Sequence, residues 1–505
     1  MQDKIVALED LAVNIERWKA EGKSVALCHG CFDLLHLGHI KHFEAAAKAA
    51  DVLVVTLTPD HLVNKGPGRP VFNQNMRAES IAALESVRNV AINTGSTAIE
   101  LLKMLKPTYY IKGSDYKNFE EDLTGNIRKE VEAVRSVGGD IYFTDEVTFS
   151  SSKLINAHFN PLGEQAKEFL DDLKGKTMTD EIISWVEKLD QVRVLVIGDT
   201  IVDEYHYVQP LGKSSKSPTL STKFQRAECF AGGVLAIANH LNQFAASVEM
   251  VTMLGRQNDQ MEIISPKVHP KVKARYFYRE DGPTPTKRRY MTEYLNTKIF
   301  EVTFMNDSFL PASLESEMIA YLDTVIGGYD VVLISDFGHG LISPAIQRWL
   351  TEQDVFVAVN AQTNSNNYGY NYITKYHGVD YISIDENEIR LPFGSRHGKI
   401  EDLIHRLYEA TGCPKISITL GSKGALYFDN GVFHDAPALA TSVVDSVGAG
   451  DAVLSVTSLL SYLGCPAHLI PFIGNAVGAL AVQILGNERP VTKVELNKSI
   501  SHMLK

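Results

Sequence analysis

The 505-residue sequence is short of cysteine, of long apolar runs and of excess positive charge, and each shortage excludes something. Its five cysteines (Cys28, Cys31, Cys229, Cys413, Cys465) are too few and too scattered for a disulfide framework, which fits a reducing compartment. No apolar run reaches membrane-spanning length, and residues 1–23 are polar and amphipathic without the apolar centre of a signal peptide. No membrane partner is therefore expected, and the expected compartment is the cytoplasm. Against 61 acidic side chains stand only 49 Lys and Arg, a formal net charge of -12 that argues against nucleic acid as a partner. Any phosphorylated substrate must be met by local groups. Low-complexity tracts are also missing, and 45% apolar with 22% charged residues is an ordinary globular balance. The length exceeds what one hydrophobic core serves, so two or three domains are expected.

What is present is alternation. From Lys23 onward, short apolar runs (SVALCHG, DVLVVTLT, NVAINT, TYYIKG, DIYFTD) alternate with helical patterns, the punctuation of a parallel sheet covered by helices. A second series opens at VRVLVIGD and continues through VVLISDF, VFVAVN, VDYISID and KISITLG. Between Tyr205 and Phe304 the segments KARYFYRE and TKRRYMTEY read as antiparallel strands of a small sheet or lid. The polar stretch NPLGEQAKEFLDDLKGKTMTDE between the two series reads as a connection. The expected organisation is an α/β domain over 1–158, a linker over 159–190 that ends in a helical stretch, and a larger α/β domain with a small β lid over 191–505.

The first informative run is Gly30-Cys31-Phe32-Asp33-Leu34-Leu35-His36-Leu37-Gly38-His39-Ile40-Lys41, placed where the first strand hands over to the first helix. A helix N-terminus offers unpaired N–H groups and a positive dipole end, and Gly38 lets an anion approach the backbone. His36 and His39, three residues apart, share one side of that turn, so phosphates are the natural guest. Other readings of the same residues stand beside this one. Cys28 and Cys31 with His36 and His39 supply four zinc-type donors, although the two pairs lie closer together than structural zinc sites place them. Cys28-x-x-Cys31 has the redox spacing, and the histidines would also serve simply as helix caps.

GCFDLLHLGHIKH resembles the signature of the cytidylyltransferase-like superfamily. RPVFNQNMRAESIAAL around Arg77, YIKGSDY with Lys112 and Asp115, and FSSSKLI with Ser150, Ser151 and Ser152 follow in the order of that family's later motifs, over residues 23–158. The likeness is to the adenylyltransferase domain of the bifunctional heptose phosphate kinase/adenylyltransferases, and His39-Ile40-Lys41 is also similar to glycerol-3-phosphate cytidylyltransferase, so ATP and CTP both stand as the nucleotide. The resemblance implies a Rossmann-like domain in which Gly30, Phe32, Asp33 and Gly38 bind the nucleotide phosphates. It makes His36 and His39 catalytic, with Lys41, Lys112 and Arg77 as additional cations and Asp115 on the nucleotide. The three serines then hydrogen-bond phosphate oxygens bridged by Mg2+. Such a reaction needs no covalent nucleophile, because positioning and charge neutralisation supply the rate.

The second informative run is Asp445-Ser446-Val447-Gly448-Ala449-Gly450-Asp451, followed by the helical AVLSVTSLLSYL. Small residues before a helix expose backbone N–H groups to the charge of a transferring phosphoryl group, and Asp451 is placed to take a hydroxyl proton. Read alone, the run also fits a structural turn with an Asp cap. VRVLVIGDTIVDEY, AGGVLAIAN, PTPTKRRY, LISDFGHG, ITLGSKGALYF and DSVGAGDA together resemble the ribokinase (PfkB) family over residues 192–500. This resemblance implies a ribokinase-like fold in which Asp451 is the catalytic base and Gly448, Ala449 and Gly450 form the anion hole. Thr419, Gly421 and Gly424 then line an ATP site, Asp385 and Glu388 influence Mg2+, and Asp199, Asp203, Gly232 and Gly233 lie at the sugar.

Three positions depart from the family pattern: Ala236 where a sugar-binding Asn is usual, with Asn239 further along; Asn360-Ala361-Gln362 in place of Asp-Pro-Lys; and Asp385 where an Asn opens the Asn-x-x-Glu motif. The domain order is also the reverse of the heptose enzymes. The expectation is a bifunctional enzyme of nucleotide-activated sugar synthesis, homodimeric by the resemblance, acting on a sugar phosphate. The alternative is a nucleotidyltransferase fused to a non-catalytic sugar-binding module.

Overall fold

The computed structural model describes residues 2–63, 69–95, 97–113, 126–144, 162–293 and 297–505. They divide into two compact units, residues 1–163 with 501–505, and residues 164–500.

The first unit is built on five parallel strands, β1 (Val25–Gly30), β2 (Val52–Leu57), β3 (Asn89–Ile92), β4 (Tyr109–Gly113) and β5 (Asp140–Thr144), in the order β3-β2-β1-β4-β5. β1 and β2 are almost continuous apolar runs because both of their faces are covered. The strand period of two separates the cores: Val25, Leu27 and Val54 pack with Leu11, Ile15 and Trp18, whereas Ala26, Cys28 and Val55 pack with Phe43 and Ile81 on the other face. Cys28 is thus a core residue of a strand, and burial pushes its thiol upward. Among the described residues, no three His, Cys, Asp or Glu side chains cluster as a metal site would require.

The second unit has a nine-stranded sheet. Its members are β6 (Arg193–Gly198), β9 (Ser247–Gly255), β10 (Lys273–Arg279), β13 (Val331–Asp336), β14 (Phe356–Ala361), β15 (Tyr381–Asp385), β16 (Lys415–Thr419), β17 (Ala425–Asp429) and β18 (Val432–Ala436). The order is β10-β9-β6-β13-β14-β15-β16-β17-β18, parallel as far as β16 and antiparallel beyond it. A separate four-stranded sheet, β12-β11-β7-β8, consists of β7 (Thr200–Lys213), β8 (Leu220–Gly233), β11 (Thr286–Met291) and β12 (Lys298–Phe304). KARYFYRE differs from expectation: it is β10, an edge strand of the main sheet parallel to β9, and its alternating exposure is what an edge position allows. TKRRYM does lie in the lid, antiparallel to β12 but parallel to β7. Residues Glu164–Lys176 and Thr179–Glu187, inside the stretch read as a connection, are helices that bury Leu170, Leu173, Ile182 and Val186 and belong to this unit.

Parallel strands deliver their C-terminal residues to one edge of a sheet, where α/β proteins bind ligands. In the second unit that edge gathers Asp336, Asn360, Asp385 and Thr419 from the ends of β13, β14, β15 and β16.

Candidate active sites

In the first unit, β1 lies between β2 and β4, where the strand order turns back, so the loop leaving it opens at the topological switch point. Phe32 adopts a left-handed backbone with φ of 47°. Its ring meets His39 edge-on at 5.3 Å and Phe43 at 5.0 Å. A Cβ on Gly30 would press within 3.1 Å of the Phe32 ring, so Gly30 makes room for that ring. The helix Leu37–Ala49 follows, capped by His36, whose Nδ1 accepts the Gly38 N–H at 3.1 Å and therefore carries its proton on Nε2. The His36 and His39 rings stack at 3.9 Å with 19° between planes. Capping and joint presentation of two imidazoles thus coexist in one turn.

Two expected phosphate-binding residues have other duties. Arg77 is buried, and its guanidinium donates to the Phe72 carbonyl at 3.0 Å, the Cys31 carbonyl at 2.5 Å, the Thr58 carbonyl at 2.9 Å and Asp60 Oδ1 at 2.6 Å. It fastens the loop after β1 and is not a cation facing a nucleotide. Asp33 is also buried, accepting from Arg69 Nη1 at 3.0 Å and the Val71 N–H at 2.6 Å. A carboxylate repels phosphate, and here it ties residues 69–72 to the loop. Lys41 is half exposed and pairs with Glu44 at 2.7 Å, while Lys112, at the end of β4, is nearly buried and pairs with Glu130 at 2.9 Å. Asp115, Ser150, Ser151 and Ser152 lie outside the described residues.

Sequence reasoning missed two histidines flanking the motif. His29, bonded to Thr56 Oγ1 at 3.0 Å, is held down to about 3, first by burial and then by the charge of Lys112. His42, bonded to Thr144 Oγ1 at 2.9 Å, is lowered to about 4 for the same reasons. Both are neutral at pH 7. Their positions one residue before Gly30 and one after Lys41 were the available signal.

The second unit contains a cavity of about 940 Å³. Lining it are Asp451 with Gly448, Ala449 and Gly450, Asp385, Glu388, Thr419, Gly421 and Gly424, and Asp203, Gly233, Lys287 and Arg289. The sequence runs from Gly421 to Asp451 therefore converge with residues of the lid. Gly448, with φ of 85°, precedes the helix Ala449–Tyr462, and Asp451 lies in that helix's first turn. The Asp451 carboxyl is raised to about 7, by burial first and then by Asp203, with Lys287 opposing. Glu388 is raised to about 8, by burial first and then by Asp385. These two acids form a capping box: the Glu388 N–H donates to Asp385 Oδ1 at 2.8 Å and the Asp385 N–H to Glu388 Oε2 at 2.8 Å, while Glu388 Oε1 accepts from the Thr363 N–H at 3.1 Å. Mg2+ keeps several waters and takes only one or two carboxylates alongside substrate phosphates, and this pair, with lone pairs left on both carboxylates, fits such an ion.

Asp199 and Gly232 are absent from the cavity wall. The Asp199 carboxylate is buried and accepts the N–H groups of Phe337 at 2.9 Å, His339 at 3.3 Å and Leu341 at 3.3 Å, so it shapes the loop after β13. Burial and the neighbouring Asp336 raise it to about 7. Gly232, paired with Ile201 across β7 and β8, gives the Asp203 side chain its space. Lys287, Arg289 and Glu301 were not singled out from the sequence. Arg289 pairs with Asp203 and, at 2.8 Å, with Glu301, and Lys287 is buried within the field of Asp203. Asn360 and Gln362 also line the cavity, with Asn360 Nδ2 donating to the Ser383 carbonyl at 2.8 Å.

Comparison with known proteins separates the two units. Residues 27–157 match the family model described as cytidylyltransferase-like. The chain is similar to the bifunctional protein HldE of Methylobacillus flagellatus, 37% identical over 155 residues, which are 30% of each chain. It is also similar to HldE of Bradyrhizobium sp., 40% identical over 147 residues, 28% of this chain and 29% of that protein. In these alignments the chain spans about 30% of the length of the curated relatives it matches. Phosphofructokinase-2 from Escherichia coli, solved in complex with potassium, superposes with a TM-score of 0.50 over 62% of this chain and 100% of that one. At 12% identity this likeness speaks for the fold alone. Residues 191–493, more than half of the sequence, match the family model for pfkB carbohydrate kinases, and the chain belongs to the pfkB family of carbohydrate kinases, with a cytidylyltransferase-like domain ahead of the kinase fold.

Proposed function

We propose that the chain is bifunctional, phosphorylating a sugar or sugar phosphate with ATP in its second unit and joining a sugar phosphate to a nucleotide, ATP or CTP, in its first. The observation that carries the kinase half is Asp451: a carboxyl on the cavity wall with its pKa near 7, in the first turn of a helix whose start, Gly448 to Gly450, lines the same cavity. A base with that pKa is about half ionised at neutral pH and strong enough to accept the acceptor hydroxyl's proton as the γ-phosphoryl group is transferred. The helix N-terminus stabilises the charge on the transferring group. Thr419, Gly421 and Gly424, with Leu439 and Ala440 beside them, form the nucleotide side; Asp203, Lys287, Arg289, Asn360 and Gln362 form the acceptor side. Asp385 and Glu388 would hold Mg2+, which when bound neutralises phosphate charge. Because the base and the anion hole share one cavity with these groups, catalysis is favoured over a purely sugar-binding role.

In the first unit, the stacked His36 and His39 and the helix start at Gly38 would steady the α-phosphate and the leaving pyrophosphate while a sugar phosphate oxygen attacks in line. Lys41 and Lys112 are the cations proposed to assist, and Arg77 and Asp33 hold the loop that carries the histidines.

Among the described residues no helix is long and apolar enough to cross a membrane, and a cytoplasmic location is proposed. A homodimer is proposed through the lid, where β8 and β12 expose Phe224, Phe300, Val302 and Phe304.

The test is mass spectrometry of products after incubating the full chain with Mg2+, either ATP or CTP, and a panel of sugars, sugar phosphates and sugar 1-phosphates that includes heptoses. A nucleotide sugar names the transferase's nucleotide and sugar together, and ADP released with a phosphorylated acceptor establishes the kinase. Absence of both products across the panel would overturn the proposal.

A further inference from the structure

Asp445 opens the loop that ends at Asp451, yet it does not line the cavity and is almost fully buried. Four donors converge on it. The Val447 N–H donates to Oδ1 at 3.2 Å and the Gly486 N–H to Oδ2 at 3.2 Å, both from segments that frame the anion hole. The other two come from the lid: Tyr205 Oη on β7 donates to Oδ2 at 2.9 Å, and Lys298 Nζ on β12 to Oδ1 at 3.0 Å. Burial alone would push this carboxyl up; Lys298 and Tyr205 more than offset that, and the net direction is downward. The group is therefore ionised, and its charge is balanced by an ammonium from another sheet.

The same lid strands carry the acceptor-side groups. Asp203 and Tyr205 are two residues apart on β7 and so point to one face. Asp203 pairs with Arg289, whose guanidinium lies 5.7 Å from the centre of the Tyr205 ring, and Lys298 Nζ lies 5.4 Å from that ring. A continuous line of contacts thus runs from the acceptor side of the cavity, through Asp203, Arg289, Tyr205 and Lys298, to the first residue of the anion-hole loop.

We propose that Lys298 is a positioning residue of phosphoryl transfer, its ammonium latching the lid to Asp445 so that the loop Asp445–Asp451 takes its working shape when the lid is in place. The proposal rests on the kinase reading above. Lys298 itself does not line the cavity. Its effect passes through Asp445 to the Val447 N–H, whose bond sets the turn that precedes Gly448. Without the ammonium, a buried carboxylate is left with uncompensated charge and must either take up a proton or draw away from the loop.

The test uses the full chain as Lys298→Met, Lys298→Arg and Tyr205→Phe, read by amide hydrogen exchange over residues 444–452 and by kinase kinetics. Loss of a charge-assisted bond predicts about tenfold faster exchange at Val447 to Ala449 in K298M, and kcat lower by about tenfold with KM for ATP within about twofold. K298R, which keeps the charge, should recover most of both, and Y205F should move both in the same direction by less. Lys298 is partly exposed and Y205F preserves ring volume, so at least one variant is expected to fold. Unchanged exchange in K298M and Y205F, or a change that K298R does not reverse, would overturn the latch. If exchange responds as stated while the wild-type chain phosphorylates no acceptor, the latch stands and the kinase reading is what fails.

Discussion

Replacing Asp451 by Asn should remove kinase activity and at the same time make the second unit more stable above neutral pH. The carboxyl is raised from 3.8 to about 7, chiefly by burial and then by Asp203, so the folded state holds a proton that the unfolded chain gives up near 4. Between those values the folded state binds more protons than the unfolded state, and stability falls as pH rises from about 4 to about 7, after which the deficit is constant. A difference of about 3 pH units corresponds to on the order of 4 kcal/mol at pH 8, an upper bound for an ion that protein and water can relax around. The amide has the same shape and carries no charge, so it relieves that cost. Even a quarter of it should raise the melting temperature of the second unit by roughly 1–3 °C at pH 8, with little gain at pH 4. Removal of a general base should lower kcat by about 10²- to 10⁴-fold. In the wild type, kcat/KM should rise with pH through about 7 and level off above it. The assays are ATP turnover with the identified acceptor and thermal melts at pH 4 and pH 8, with nucleotide-sugar formation from a supplied sugar 1-phosphate as the internal control. A D451N protein that keeps its kinase rate, or that melts lower at pH 8 than the wild type, would refute the reasoning.

Three further outcomes follow from the same geometry. Arg77→Met should destabilise the first unit by roughly 3 kcal/mol, because it leaves three carbonyls and Asp60 Oδ1 without that donor; a thermal melt checks it, and a variant of wild-type stability that has merely lost nucleotide affinity would contradict the assignment. His36→Ala and His39→Ala should each cut nucleotidyl transfer by about 10²- to 10³-fold while leaving ATP turnover by the second unit unchanged, as measured by parallel product assays. Glu388→Gln should raise the Mg2+ concentration needed for half-maximal kinase rate several-fold, with the effect largest above pH 8, where the wild-type carboxyl, raised to about 8, is ionised.

The parts of both sites that were legible from the sequence are contiguous. A β-strand followed by Gly30 to Lys41, and the turn Gly448 to Gly450 before a helix, carry their chemistry within one stretch of backbone, so strand period, small residues and helix start suffice to place them. The fold class was legible for a related reason: β1, β2, β6 and β13 are apolar on both faces, which only sheets covered by helices require. KARYFYRE was misread because an edge strand of a parallel sheet and a lid strand show the same alternation, and periodicity does not say which sheet a strand joins.

The duties of charged residues were the least legible, and the reason is distance along the chain. Whether Arg77 faces a phosphate or a carbonyl depends on Cys31, 46 residues away, and whether Asp199 faces a sugar or a loop depends on residues 337–341, about 140 positions on. Lys298 and Asp445 are separated by 147 residues, and Tyr205 and Asp445 by 240. A motif can announce that an acid or a base is present, but a buried ion is defined by what compensates it, and the compensating group is supplied by topology. The same logic explains why Asp451 is perturbed and Asp445 is not raised. Both are acids of one seven-residue run and burial raises both, yet Asp445 receives two lid side chains and two N–H groups, whereas Asp451 faces Asp203 with only Lys287 in opposition. The difference between a lowered Asp445 and a raised Asp451, six residues apart, therefore resides in which lid groups reach each: an ammonium and a phenol hydroxyl at Asp445, a carboxylate opposed by one lysine at Asp451.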